Sequence, residues 1–134
     1  MSRARDLWGR ARARRVSLTG LIALMGGSGI AHLIVPEPYL KIVPRWVSSA
    51  SAAVFWSGIA ELAVAAALVH PRMRRAGAWA TIALLVAVFP ANIQHALQVE
   101  PGTGEWWATR ARLPLQPVLI WWAWTFTRMR EPTP

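Results

Sequence analysis

Four blocks of apolar residues recur along the chain, at roughly residues 16–36, 51–70, 75–98 and 113–127. Within each block the apolar positions run on continuously, where a soluble helix would show a stripe on one face. Each block is near the ~20 residues that cross a hydrocarbon core, the last being the shortest. Backbone N–H and C=O groups cannot stay unpaired in lipid, so such blocks form helices. Strands of a membrane barrel would alternate apolar and polar positions over about ten residues, and no such alternation occurs. The pattern predicts an all-α fold, a transmembrane antiparallel four-helix bundle, with residues 16–128 as its single domain. Residues 1–15 precede it as a basic interfacial segment, and residues 129–134 follow as a short cytoplasmic tail.

Composition agrees with that reading. Apolar residues make up 54% of the 134 positions and charged residues only 16%, and a soluble domain of this size has too little interior to hide so much apolar surface. The absence of cysteine removes disulfides, thiol relays and thiolate metal sites. A net charge of +9 invites a nucleic-acid reading. The arginines instead sit at the ends of the apolar blocks, where membrane topology needs them, so no nucleic-acid partner is expected.

Orientation follows from those arginines. The N-terminal flank (Arg3, Arg5, Arg10, Arg12, Arg14, Arg15), the 70–75 connection (Arg72, Arg74, Arg75) and the C-terminus (Arg128, Arg130) share one side of a four-span protein and hold 11 basic residues. The other side holds 4: Lys41, Arg45, Arg110 and Arg112. The positive-inside rule places both termini in the cytoplasm of a multi-pass protein of the cell's inner, or plasma, membrane. Arg14-Arg15-Val16-Ser17-Leu18 resembles a twin-arginine export signal, but no clean small-residue cleavage site follows, so the segment is expected to stay. It reads as a short interfacial helix, with Leu7 and Trp8 in the bilayer and the arginines on anionic lipid. The outer loop PEPYLKIVPRWVSSA (36–50) is broken by three prolines and carries Tyr39 and Trp46, suited to the headgroup zone, as are Trp106 and Trp107 in a second outer loop. It is either a short amphipathic piece along the membrane or an ordered loop with aromatic anchors. Gly26, Gly27 and Gly29 in the first span, and Ser57, Gly58 and Ala65 in the second, allow close helix approach.

The stretch LLVAVFPANIQHALQ (84–98) begins as pure hydrocarbon and ends in polar side chains. Apart from helix ends, the polar residues expected inside the membrane are His32, Glu61, Asn92, His95 and Gln116. At ~1.5 Å per residue, His32 and Asn92 each lie ~25 Å above their cytoplasmic arginines, and Glu61 and Gln116 ~16–18 Å above theirs. His95 sits one turn beyond Asn92 on the same face. A carboxylate at mid-membrane costs roughly 2.5–3.5 kcal/mol on insertion scales, so Glu61 should face the interior, either protonated or paired with a histidine. Pro90 frees the carbonyl of Val86 and kinks its helix. Together these features predict a cavity open toward the outer side. Bland readings stand beside it: Asn92 and Gln116 as interhelical glue, worth about 0.6 kcal/mol on average, and either histidine as a packing residue.

The stretches GGSGIAHLIVPEPYLKIVP (26–44), WSGIAELAVAAALVHPRMRRAGAW (56–79), ALLVAVFPANIQHAL (83–97) and RLPLQPVLIWWAW (112–124) are similar to the DoxX family of small four-span membrane proteins. The family's recurring polar positions correspond to His32, Pro36, Glu61, Pro90, Asn92 and Gln116, whereas Leu33 departs from the usual aromatic residue and His95 has no assigned counterpart. The resemblance implies quinone-linked redox or stress-response work, since relatives include a subunit of a thiosulfate:quinone oxidoreductase.

The leading expectation is a cavity for a quinone or lipid-like ligand, as a subunit serving a redox partner. His32 and Asn92 would hydrogen-bond a carbonyl, Glu61 would exchange a proton, Gln116 and His95 would complete the polar set, and Trp56 would line the wall. The alternative is a non-enzymatic scaffold or accessory subunit, held to its partner by the outer loops or the basic N-terminus. A metal site from His32, His95 and Glu61 is chemically adequate in ligand type but would span three helices at differing heights, and no metal is assigned. A solute carrier is disfavoured by the apolar inner half and the lack of paired broken helices.

Overall fold

The computed structural model describes residues 2–128, and among these there are helices and no strands. Five helices follow in order: α1 (Ser2–Ile34), α2 (Glu37–Leu40), α3 (Ala50–Val69), α4 (Arg74–Gln98) and α5 (Gly104–Thr127). Three stretches are long and apolar enough to cross a membrane: Asp6–Ile34, Ala50–Val69 and Arg74–Gln98. At 24 residues, or ~36 Å, α5 has the length, but its first half carries Glu105, Arg110 and Arg112, and it does not join that group. Large apolar side chains such as Phe55, Trp79, Trp121 and Trp124 face outward from α3, α4 and α5. Exposed apolar surface on this scale suits a lipid surrounding.

Element boundaries depart from the hydrophobic pattern in three places. The basic N-terminal segment is not a separate interfacial helix. It continues into the span as one helix of 33 residues, ~50 Å long, because alanine, arginine and leucine favour helix and no proline intervenes. Leu7 and Trp8 are exposed on it. The stretch around Trp106 and Trp107 is not a loop but the first turns of α5, which starts at Gly104 and runs through Pro114 and Pro117. The Thr103 side chain starts it, accepting from the Trp106 N–H at 3.1 Å. The outer loop contributes only the single turn α2, followed by turns up to Ser49, whose hydroxyl accepts from the Ala52 N–H at 3.3 Å and caps α3. The expected cytoplasmic tail, residues 129–134, lies outside the described residues, as does Arg130.

The long helices pack in chain order, α1 on α3, α3 on α4 and α4 on α5. Glycine sets the first contact. A Cβ on Gly29 would lie 2.8 Å from the Gly58 carbonyl oxygen, and one on Gly58 would lie 2.8 Å from the His32 Cβ. Only bare backbone permits that approach. Apolar burial is concentrated near the α3–α4 connection, in a core that includes Leu21, Met25, Leu68, Ala78, Ala123 and Phe126. Arg74 closes this end. Its Nε donates to the Leu68 carbonyl at 3.0 Å and its guanidinium to the Val69 carbonyl at 3.1 Å, satisfying the last acceptors of α3. By contrast α1 and α5 scarcely touch. Trp122 links them, its indole N–H donating to Ser17 Oγ at 2.8 Å while its ring packs over Gly20.

Replacing Gly29 or Gly58 by alanine should cost about 1–3 kcal/mol through overpacking, read as a lower unfolding midpoint in detergent. Gly27→Ala serves as the reference. A Cβ there meets nothing within 4 Å, so its midpoint should stay level or rise.

Candidate functional site

A cavity of about 450 Å³ occupies the other half of the molecule. Its walls come from α1, α3, α4 and α5, and residues of the 39–47 segment, Trp46 among them, close over it. Most of the lining is aliphatic. Four of the polar residues expected from the sequence, His32, Glu61, Asn92 and Gln116, all reach it.

They form two pairs. On the α1–α3 side, His32 Nδ1 lies 2.8 Å from the Ser28 carbonyl oxygen and 3.2 Å from Glu61 Oε2. A carbonyl oxygen can only accept, so Nδ1 carries the hydrogen and donates it to Ser28. Glu61 Oε2 is then beside the imidazole but without a directed hydrogen bond, although the residue is only 9% exposed. Tyr39 stacks on the histidine, with ring centroids 3.8 Å apart and planes at 25°. The local sequence explains the meeting: Gly29 and Gly58 each precede a member of the pair by three residues, so the glycine crossing brings His32 and Glu61 face to face.

On the α4–α5 side, Asn92 Nδ2 donates to Gln116 Oε1 at 2.9 Å, and Gln116 Nε2 donates to the Leu85 carbonyl. Both side chains are buried. Pro90 stands within α4 between Leu85 and Asn92. The carbonyl recruited beside this proline is therefore that of Leu85, one residue before the Val86 carbonyl expected from the helix repeat. This pair satisfies itself across two helices, whereas Glu61 does not.

Glu61 thus has the histidine neighbour expected of it, but the depth arithmetic does not show which residues meet. It sets His32 level with Asn92 and Glu61 level with Gln116, yet the contacts run from His32 to Glu61 and from Asn92 to Gln116. Long arginine side chains reach polar surroundings from a range of backbone heights, and α1 continues well below Arg15. Two further expected residues do not reach the cavity. His95 turns to the first turn of α5, where its Nε2 lies 3.1 Å from Glu105 Oε1. Trp56 is 65% exposed and packs edge-on against Phe55. With His95 held there, the His32–Glu61–His95 set does not converge, and no group of three metal-ligating side chains does so among the described residues.

Three residues enter the site that sequence reasoning passed over. Ser28 supplies a carbonyl one turn before His32, a spacing readable in advance. Tyr39 was placed with the headgroups; the break at Pro36 folds it back over the histidine seven residues earlier. Arg112 lines the cavity, and among the described residues no carboxylate lies within 4 Å of it. Its neighbour Arg110 is spent otherwise, donating to the Ala96 carbonyl at 2.8 Å and covering the Trp106 ring.

A double-mutant cycle on Asn92→Ala and Gln116→Ala should give a coupling of about 0.6 kcal/mol, with roughly 1.7 kcal/mol as ceiling, measured by unfolding in mixed micelles. A coupling of zero would mean that the amide pair holds nothing together. Among known proteins, no curated protein and no solved structure matches the chain. The profile of a family described as "Domain of unknown function (DUF8561)" matches residues 21–127, from the first fully buried leucine of α1 through the end of α5 and across every polar residue of the cavity, so the chain belongs to that family.

Proposed function

We propose that the chain is a four-span antiparallel bundle of the plasma membrane whose cavity binds a quinone or lipid-like ligand in support of membrane redox or stress-response chemistry, as a subunit beside a redox partner. The fourth span in this reading is α5. Its packing along α4 and the outward Val118, Trp121 and Trp124 support it. The arginine bias supports cytoplasmic termini and sets the cavity in the outer half. The resemblance to DoxX proteins supports the redox setting.

One observation carries the ligand assignment: a mostly aliphatic cavity holds a nearly buried carboxyl oxygen that no protein hydrogen bond uses. Such a wall suits an apolar ring, and a few convergent polar groups would fix its orientation. Reduction of a quinone to a quinol takes up two electrons and two protons. The electrons come from the partner, while Glu61 and His32 are placed to hold or pass a proton at the ring oxygen. A second reading, a scaffold that grips a partner, rests on the exposed basic start of α1, where Arg10, Arg12, Arg14 and Arg15 all face solvent.

The absence of native cysteine makes topology directly measurable. A membrane-impermeant maleimide added to intact cells should label Ser48→Cys and leave His70→Cys untouched until the membrane is opened. For the ligand, a decyl-tailed benzoquinone should raise the melting temperature of the purified protein. At a hundred times Kd the gain corresponds to about 2.7 kcal/mol. Glu61→Gln should reduce that gain at unchanged abundance. No shift with any quinone in well-folded protein would sink the assignment, and an unchanged cellular phenotype for Glu61→Gln would favour the scaffold.

A further inference from the structure

The helices that wall the cavity do not close it evenly. The α1–α3, α3–α4 and α4–α5 pairs pack directly on one another, but α1 and α5 scarcely touch, and Trp122 spans from α5 to Ser17 and Gly20 in the middle of α1. Past that tryptophan, α1 presents Leu24 and Ser28 to the cavity, and α5 presents Leu119, Leu115 and Arg112. Leu24 is 40% exposed and Leu115 is 50% exposed, although both also line the cavity. A side chain that faces the interior and the surroundings at once marks an opening. In a bilayer the surroundings at this depth are acyl chains.

The geometry points to the α1–α5 seam as a lateral portal, through which the ligand's long apolar chain leaves the cavity between Leu24 and Leu115 while its polar head stays inside beside Glu61 and His32. This rests on the proposed quinone or lipid-like ligand and narrows it to a chain-bearing amphiphile that exchanges with the bilayer. Size supports the narrowing. A volume of about 450 Å³ takes one compact headgroup and leaves a polyprenyl or acyl tail outside. Chemistry supports it as well, because the exposed lining residues Leu24 and Leu115 at the seam are apolar, whereas the Glu61 oxygen without a hydrogen bond is buried. Trp122, hydrogen-bonded to Ser17, forms the floor of the portal, and Arg112 stands at its outer end.

The test uses the full chain with one cysteine introduced at Leu115 and modified by a bulky maleimide; Leu24→Cys replaces it if the first variant does not fold. Val86→Cys, exposed on α4 and outside the cavity lining, is modified in parallel as the control. The probes are a decyl-tailed benzoquinone and the same ring without its tail, read by thermal shift. Modification at Leu115 should weaken the tailed probe by at least about tenfold and leave the tail-less ring unchanged, while modification at Val86 should affect neither. Undiminished binding of the tailed probe to the Leu115 adduct overturns the portal and leaves the cavity reading standing. Loss of both probes there, or selective loss of the tailed probe at Val86, also overturns it. Failure of either probe to bind the unmodified protein overturns the cavity reading, and the portal with it.

Discussion

Contact between two bare stretches of backbone governs this molecule. Where Gly29 meets Gly58, a single methyl group on either residue would collide with a carbonyl oxygen or a neighbouring side chain. In lipid there is no hydrophobic gain from bringing helices together, so close packing of this kind has to supply the attraction. The same approach decides the chemistry. His32 and Glu61 lie one turn beyond the two glycines, and a wider separation of α1 and α3 would leave the carboxyl without its imidazole neighbour. Structure and site are therefore fixed by one crossing.

The two polar pairs answer the energetic problem of burial in opposite ways. Asn92 and Gln116 use each other and the Leu85 carbonyl, so their cost is largely met within the protein. Glu61 is left with an oxygen that receives no directed hydrogen bond, beside a histidine whose hydrogen is committed to the Ser28 carbonyl. A fold selected for stability alone would replace that acid with an apolar residue. An intramembrane acid in that position is a functional candidate by default, whereas the amide pair is accounted for by packing.

Much of this could be read from the residues. Helical content, three of the membrane-length helices and four of the cavity's polar residues follow from hydrophobic runs and from the cost of burying a charge. Failures came where distance along the chain stood in for distance in space. Heights counted from arginines set His32 and Glu61 in different layers although the two side chains meet, because a flexible guanidinium is a poor ruler; the pairing of Glu61 with a histidine follows from the cost of its burial. His95 shares a helix face with Asn92, but Glu105, brought close by a short connection, captures it one turn higher. Tyr39 is polar and aromatic enough for a headgroup position, and only the path of the chain after Pro36 shows that it folds inward. The start of α5 was hidden for another reason: the apolar run begins only at residue 113, whereas the helix starts at Gly104 and passes through Pro114 and Pro117.

One further consequence comes from the length of α1. From Ser2 to Ile34 it is a single helix, with no proline or loop to act as a hinge. Stiffness over that distance makes the arginine-bearing end and the Ser28–His32 turn two ends of one lever. A displacement of either end is therefore carried to the other through unbroken helix.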